Sequence, residues 1–551
     1  MADQLSGAHL TGAQAIVEGL IRAGVDTVFA LPGQQLDELF NAFYHARGKI
    51  RLIHPRHEQS TAYMANGYAL ATGKLGVACV VPGPGLLNAS AAISTGFAQN
   101  APVLVITGQI PSRFIGKGTG QLHETKDQLN AVSGITKFQG SIMKPEDVPG
   151  TLAQAISAAT SGRNQPCVIE IPPDILQAKA NVDFGNFNPA PADASPDMDQ
   201  VAKAAEMIAA AKYPVICVGS GAIEASAELT AFAEAIDAPV IMSQYGAGAI
   251  DYRHPLAHTL ISGIELWEKA DLAIAVGTRF SNQMNAWGYD DKIKLIRIDP
   301  DPKQSIRPWA PDVHLQSIAE LALPSIMRAL NGTTLSGAWN AAELSHVKAD
   351  AEMRMGRDVP MSDSYTRAIR AGIPDDGFVC FDITQVGYHA WWGYPAYEPR
   401  TLIRQSYQGT LGYSFPTALG AKVGQPDKPV VCVTGDGGFM FAMQELATAV
   451  QEQIALVTVV MNDNAYGNVR RYQDDIYRGE RIASDLKNPP FVDMARLFGL
   501  DAFTAKSPEE LTKALKAAIV LDKPALIEVN VGAFPSWQSF IPRRRVRGQP
   551  N

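Results

Sequence analysis

Apolar and polar positions follow two rhythms along this chain. Residues 11–23 carry apolar side chains at helical spacing, with Thr11 placed to cap the first turn and Gly24 to stop the last. Residues 27–31 form a short β-branched and aromatic run that ends at Pro32-Gly33. The alternation continues, predicting a helix over 59–72, a strand over 76–81, a helix over 86–99 and a strand over 103–107. The strand-like runs are continuously apolar, which marks strands covered on both faces and therefore a parallel sheet.

A Pro-, Ala-, Asp- and Asn-rich stretch at 185–197 reads as a linker. A second block follows, with strands predicted at 215–218, 240–242, 272–276 and 295–298. A polar helical connector covers 332–363. A third block begins near Tyr365, with strands predicted at 378–381, 430–434, 456–461 and 525–529. The predicted fold is α/β, with three doubly wound parallel-sheet domains at 1–184, 195–335 and 360–532, then a basic tail at 533–551. A chain of 551 residues is too long for one hydrophobic core, so two or three domains are required. No short internal repeat is visible.

Composition narrows the class. The chain is 46% hydrophobic and 19% charged, as ordinary globular proteins are. Lys and Arg number 47 against 55 Asp and Glu, a net charge of -8, so no basic footprint for nucleic acid exists. The apolar run at 454–461 is too short to span a bilayer, and no secretory leader is read at the start. The five cysteines each sit inside a strand-like run, without CxxC spacing. They read as buried thiols in a reducing compartment, and the expected location is cytoplasmic. The 47 glycines and 36 prolines are unremarkable as totals.

Their positions are not. Residues 430–434 form a buried strand that runs into Gly435-Asp436-Gly437-Gly438, followed by a helix predicted through about Gln451. The next strand ends in Asn462-Asp463-Asn464-Ala465-Tyr466-Gly467. Glycines allow backbone amides to approach an anion, and a helix start adds N–H donors and a positive dipole end. Asp436 and Asp463 are one strand-helix-strand unit apart, which puts both carboxylates over one crevice at the carboxyl edge of a sheet. Two carboxylates beside a phosphate-binding turn suit a hard cation such as Mg²⁺.

On these residues the chain resembles the thiamine diphosphate-dependent decarboxylases and carboligases, a family that includes acetolactate synthase, benzaldehyde lyase, pyruvate oxidase and pyruvate decarboxylase. The family motif is Gly-Asp-Gly followed one unit later by Asn-Asn, and here Asp463 replaces the second Asn. Further matches are Arg56-His57-Glu58-Gln59, Gly67-Tyr68-Ala69, Thr72-Gly73-Lys74, Gly83-Pro84-Gly85, Ile106-Thr107-Gly108-Gln109, Gly409-Thr410-Leu411 and Gln444-Glu445-Leu446-Ala447. The resemblance covers nearly the whole chain, and Gly387, His389, Gly409-Thr410-Leu411 and Gln444-Glu445-Leu446-Ala447 match acetolactate synthase-like sequences. It implies pyrimidine-binding, middle and diphosphate-binding domains in that order. It implies thiamine diphosphate and Mg²⁺, with the metal held by Asp436, Asp463 and the backbone oxygen of Ala465.

The resemblance assigns further roles. Glu58 bonds N1′ of the aminopyrimidine and promotes the tautomer that deprotonates the thiazolium. Leu411 wedges beneath the thiazolium, and Gly409 turns a carbonyl toward the aminopyrimidine. Gly435, Gly437, Gly438, Tyr466 and Gly467 surround the diphosphate, with His389 expected among them. Pro32-Gly33-Gln34-Gln35 matches a substrate-facing loop, so Gln34 and Gln35 are candidate pocket residues. His123 is a candidate for binding an oxyanion or moving a proton. Arg470 or Arg471 is a candidate for a carboxylate. The middle block lacks a full GxGxxG at 218–222, so FAD there is the less favoured reading.

The expected activity is C–C bond formation or cleavage on a 2-oxo acid or hydroxy ketone, acetolactate synthase-like, in a homodimer or homotetramer with active sites between subunits. Within the class, a simple 2-oxo acid decarboxylase or a hydroxy-ketone lyase is the alternative. Outside it stand a catalytically inactive cofactor-binding regulator and a nicotinamide-dependent dehydrogenase.

Overall fold

A computed structural model describes residues 8–189, 194–306, 309–536 and 546–548. Among these, three six-stranded sheets are parallel throughout. The first holds Thr27–Ala30, Arg51–Ile53, Gly76–Val80, Val103–Gly108, Phe138–Ser141 and Cys167–Ile171. The third holds Phe378–Phe381, Leu402–Arg404, Val430–Gly435, Val457–Asn462, Asp501–Ala505 and Ala525–Asn530. With strands numbered in chain order within each sheet, both run 2-1-3-4-6-5. The middle sheet, from Pro214–Val218 to Val313–Leu315, runs 3-2-1-4-5-6. All three are doubly wound α/β orders with a switch point beside the first strand, where ligands bind at the carboxyl edge.

Local signals account for many boundaries. Thr11 caps the helix Gly12–Arg22 in a reciprocal box with Gln14. Pro84 starts the helix Pro84–Gln99, and Gly73, left-handed, ends the helix Glu58–Thr72. The five cysteines are buried in or beside strands as free thiols. Burial pushes the Cys167 thiol up to about 12, so it is inert at neutral pH.

Two predicted elements are broken. The helix expected after Gly438 is three short pieces, Asp436–Phe439, a 3-10 turn Met443–Glu445 and Leu446–Gln451. The break lets the buried Glu445 carboxylate accept the backbone N–H of Arg56 at 3.1 and 3.0 Å, tying the third block to the first. The connector is two helices, Ala341–Asp358 and Pro360–Gly372, because Pro360 opens the second and its ring cannot continue the first.

The middle sheet buries a core of its own. One core is shared between the first and third sheets. At its centre the helices Glu58–Thr72 and Ser414–Gly424 cross with backbones in contact. A Cβ at Gly67 would lie 1.8 Å from the Thr417 carbonyl oxygen, and one at Gly420 would lie 1.9 Å from that of Met64. Glycine at both positions is what permits the approach.

Candidate active site

Two neighbouring strands of the third sheet build the centre of the site. Gly435 sits opposite Met461 in the parallel ladder, so both chains leave the sheet at one edge. Asp436 follows the first strand and Asp463 the second. Asp436 is 2% exposed, and its Oδ2 accepts from Asn488 Nδ2 at 2.6 Å. Burial pushes its carboxyl above the usual range, opposed by Asn488 and by backbone N–H groups of Gly437 and Ala465. Burial pushes Asp463 up to about 6. The Asp436 charge adds to this and Arg470 opposes it, with Nη2 3.4 Å from Asp463 Oδ2.

Two desolvated acids, one of them raised further by the charge of the other, favour a cation between them. Among the described residues no three His, Cys, Asp or Glu converge on one point. A divalent ion here would therefore need backbone and ligand oxygens to fill its shell. The turn around it is a cradle that side chains would fill. A Cβ at Gly437 would lie 2.7 Å from the Tyr466 ring, one at Gly438 3.0 Å from Asp382 Oδ2, and one at Gly467 2.4 Å from Asp463 Oδ2.

Asp382 and Asn488 are site residues that sequence reasoning missed. Asp382 is fully buried beneath the turn and accepts from Ser414 Oγ at 3.0 Å and Thr434 Oγ1 at 3.2 Å. Burial raises its carboxyl. Its signal was an acid immediately after a buried strand. Asn488 carried no signal, as a lone amide in a polar loop.

In the first domain, Glu58 opens the helix Glu58–Thr72, and its Oε2 accepts from Asn88 Nδ2 at 3.1 Å. The N-cap is His57, whose Nδ1 accepts the Gln59 N–H. Three loops meet at the carboxyl edge of the first sheet. Gln35 Nε2 donates to the Leu122 carbonyl at 3.1 Å. A Cβ at Gly83 would lie 2.5 Å from the His123 carbonyl oxygen. His123 holds φ +67°, the left-handed region. Gln35 Oε1 and His123 Nδ1 are buried without a hydrogen-bond partner, as expected where a ligand completes the bonding. Pro32 and Gln34 are more accessible beside them, and Gly33 packs against Val81.

Profiles of known families match the chain in three stretches. Residues 10–131 match the N-terminal TPP binding domain of thiamine pyrophosphate enzymes, 201–326 their central domain, and 382–529 their C-terminal TPP binding domain. A protein of Pseudomonas aeruginosa named probable 2-ketoarginine decarboxylase AruI is 33% identical over 95% of this chain and 94% of its own length. The acetolactate synthase large subunit of Haemophilus influenzae is 31% identical over 95% and 94%. Acetolactate synthase isozyme 3 large subunit of Escherichia coli is 30% identical over 93% and 92%. The chain belongs to the thiamine pyrophosphate enzyme family. The names these relatives carry are those of enzymes, and the sequence resemblance to acetolactate synthase stands.

For a thiamine pyrophosphate enzyme, the cradle fits a magnesium–diphosphate group in its acidic pair and its glycines. Gly409, at φ +68°, and Thr410 lie in a loop against the first domain, with Thr410 Oγ1 3.3 Å from Thr95 Oγ1. Leu411 is half-buried there. His389 was also expected at the diphosphate. It is 1% exposed, with Nε2 3.4 Å from Asp363 Oδ1. It lines a cavity of about 450 Å³ with Tyr252, Lys348, Arg367 and Tyr397.

In the middle domain, Gly219, Ser220, Gly277, Arg279 and Asp299 line a cavity of about 370 Å³ facing Asn100 and Arg163 of the first. An Arg400–Glu224 ion pair stands on its wall. Of the basic tail, Pro542 to Arg545 lie outside the described residues. Arg547 docks on the middle domain, pairing with Asp290 at 2.9 Å and donating to the Trp267 and Ala270 carbonyls.

Proposed function

We propose that this protein uses thiamine diphosphate and Mg²⁺ to make or break a C–C bond beside the carbonyl of a small 2-oxo acid, as an acetolactate synthase-like carboligase. The observation that carries the reading is the Asp436–Asp463 pair over the glycine cradle, at the edge where the third sheet binds ligands. A non-oxidative 2-oxo acid decarboxylase is the second reading, favoured by the Pseudomonas aeruginosa relative, whose printed name is that of a decarboxylase.

Bound thiamine diphosphate supplies the carbon nucleophile and the electron sink. Asp436, Asp463 and the Ala465 carbonyl hold the metal and, through it, the diphosphate. Gly437 and Gly438 bring backbone N–H groups to the phosphates at a helix start. Glu58 holds the proton shared with N1′ of the aminopyrimidine, and Asn88 keeps its carboxylate turned. Gln35 Oε1 accepts from a substrate hydroxyl, and His123 Nδ1 meets a substrate oxygen or the proton in transit. Leu411 and Gly409 support the cofactor from the third domain.

The working unit in this reading is a homodimer or homotetramer, in which a second copy covers Leu87, Leu122 and Phe441. These side chains are 46%, 58% and 51% exposed. The test is a product screen by mass spectrometry on protein loaded with thiamine diphosphate and Mg²⁺. Acetolactate from pyruvate supports the carboligase, and aldehyde alone from a 2-oxo acid supports the decarboxylase. No product from any 2-oxo acid or hydroxy ketone contradicts the reading.

A further inference from the structure

Glu170 closes the strand Cys167–Ile171 of the first sheet and carries no role in the chemistry above. It is a buried acid whose hydrogen bonds run to two amides and to the Ser141 hydroxyl. Its Oε2 accepts from Gln128 Nε2 at 2.7 Å and from Gln109 Nε2 at 2.9 Å. Burial raises its carboxyl against these bonds. An acid placed there at such a desolvation cost needs a reason.

The two amides lead to the substrate-facing wall. Gln128 is fully committed. Its Nε2 also donates to the Gly108 carbonyl at 2.9 Å, and its Oε1 accepts the Gly83 N–H at 3.1 Å. Gly83, at φ +58°, presses its Cα side against the His123 carbonyl. Gln109 Oε1 accepts the Ile110 N–H at 2.8 Å and so fixes the end of the strand Val103–Gly108. A Cβ at Gly108 would lie 3.1 Å from Gln35 Cβ. The two residues with unpartnered buried atoms, His123 and Gln35, are thus each one contact away from a segment that these amides hold.

We propose that Glu170 is a positioning residue that sets His123 and Gln35 in the substrate pocket through Gln128 and Gln109. The inference rests on the reading that this wall faces the substrate. Its geometry makes a prediction that does not depend on turnover. In Glu170→Met, of similar length, both amides lose the one oxygen they share, and the Gly83 turn loosens. Glu170→Gln is the conservative counterpart. Its amide oxygen can take the place of Oε2 and accept from both Gln128 and Gln109.

Two measurements test it on the full-length protein. The first is tryptic cleavage at Arg113, Lys117 and Lys126, which flank His123. E170M should speed cleavage at least fivefold and E170Q should stay within twofold of wild type. The second is kcat/KM for a 2-oxo acid substrate. E170M should lower it at least tenfold with thiamine diphosphate affinity within threefold, and E170Q should keep most of the wild-type value. In a His123→Ala background E170M should cost less than it does alone, because part of its effect runs through His123. Unchanged cleavage and kcat/KM in E170M, or a folded E170Q no better than E170M, would overturn the proposal. If no 2-oxo acid is turned over even by wild type, the functional reading fails, while the cleavage comparison still decides the positioning role.

Discussion

At the scale of single residues the acidic edge of the third sheet is the most exposed to test. Asp436 accepts from Asn488 and faces Asp463, so Asp436→Asn removes one charge and keeps the shape. The expected outcome is at least a tenfold loss of Mg²⁺-dependent thiamine diphosphate affinity by calorimetry, with the thermal midpoint of the free protein unchanged or slightly raised. It is raised because a buried like-charge pair is relieved. The same edge shows what the sequence could reveal. Asp436 and Asp463 were legible because one strand-helix-strand unit separates them and both follow apolar runs. Asn488 was not, because it reaches Asp436 from a segment whose position only the fold determines. The pairing of the His389 ring with Asp363, a residue of the connector region, was likewise not legible, because no local pattern links the two.

At the scale of elements the decisive contact is the crossing of Glu58–Thr72 and Ser414–Gly424. Gly67 and Gly420 stand where any side chain would strike a carbonyl of the facing helix. Gly67→Ala should destabilise by about 3 kcal/mol, an overpacking cost at the upper end of its range. A lowered denaturant midpoint checks it, and Gly134→Ala, whose Cβ would meet nothing within 4 Å, is the matched control. Of the two helices, the one over 59–72 was readable from the apolar pattern and Ser414–Gly424 was not singled out. Their crossing was not readable, since small residues in a helix look the same whether they face a helix or water. The broken helix after Gly438 was missed for a related reason. What interrupts it is Glu445 turning inward to the Arg56 N–H, a bond between residues 389 positions apart.

At the scale of the whole molecule, three α/β sheets follow from the alternation of apolar runs and helices, but their strand orders do not. The first and third share one order and the middle sheet has another, which periodicity cannot distinguish. Acid stability is a property of this scale. His258 is fully buried in the middle domain, and burial lowers its pKa to about 3, with Lys348 adding to the effect. The folded state thus holds it neutral while the unfolded chain protonates it near 6.5. Stability from this group is complete above that value. It is lost as pH falls toward about 3, by roughly 1 kcal/mol per pH unit. His258→Leu should flatten the fall of the thermal midpoint between pH 6.5 and 4, and an unchanged slope would assign the acid sensitivity elsewhere. The central claim is that this fold carries out thiamine diphosphate chemistry with Glu58 as its proton-holding group. The most direct measurement is turnover of a panel of 2-oxo acids by wild type and by Glu58→Gln, each with thiamine diphosphate affinity determined alongside. The account predicts at least a hundredfold loss of turnover in Glu58→Gln, with affinity within a few-fold of wild type. A Glu58→Gln protein that turns over the same substrate at the wild-type rate would contradict it.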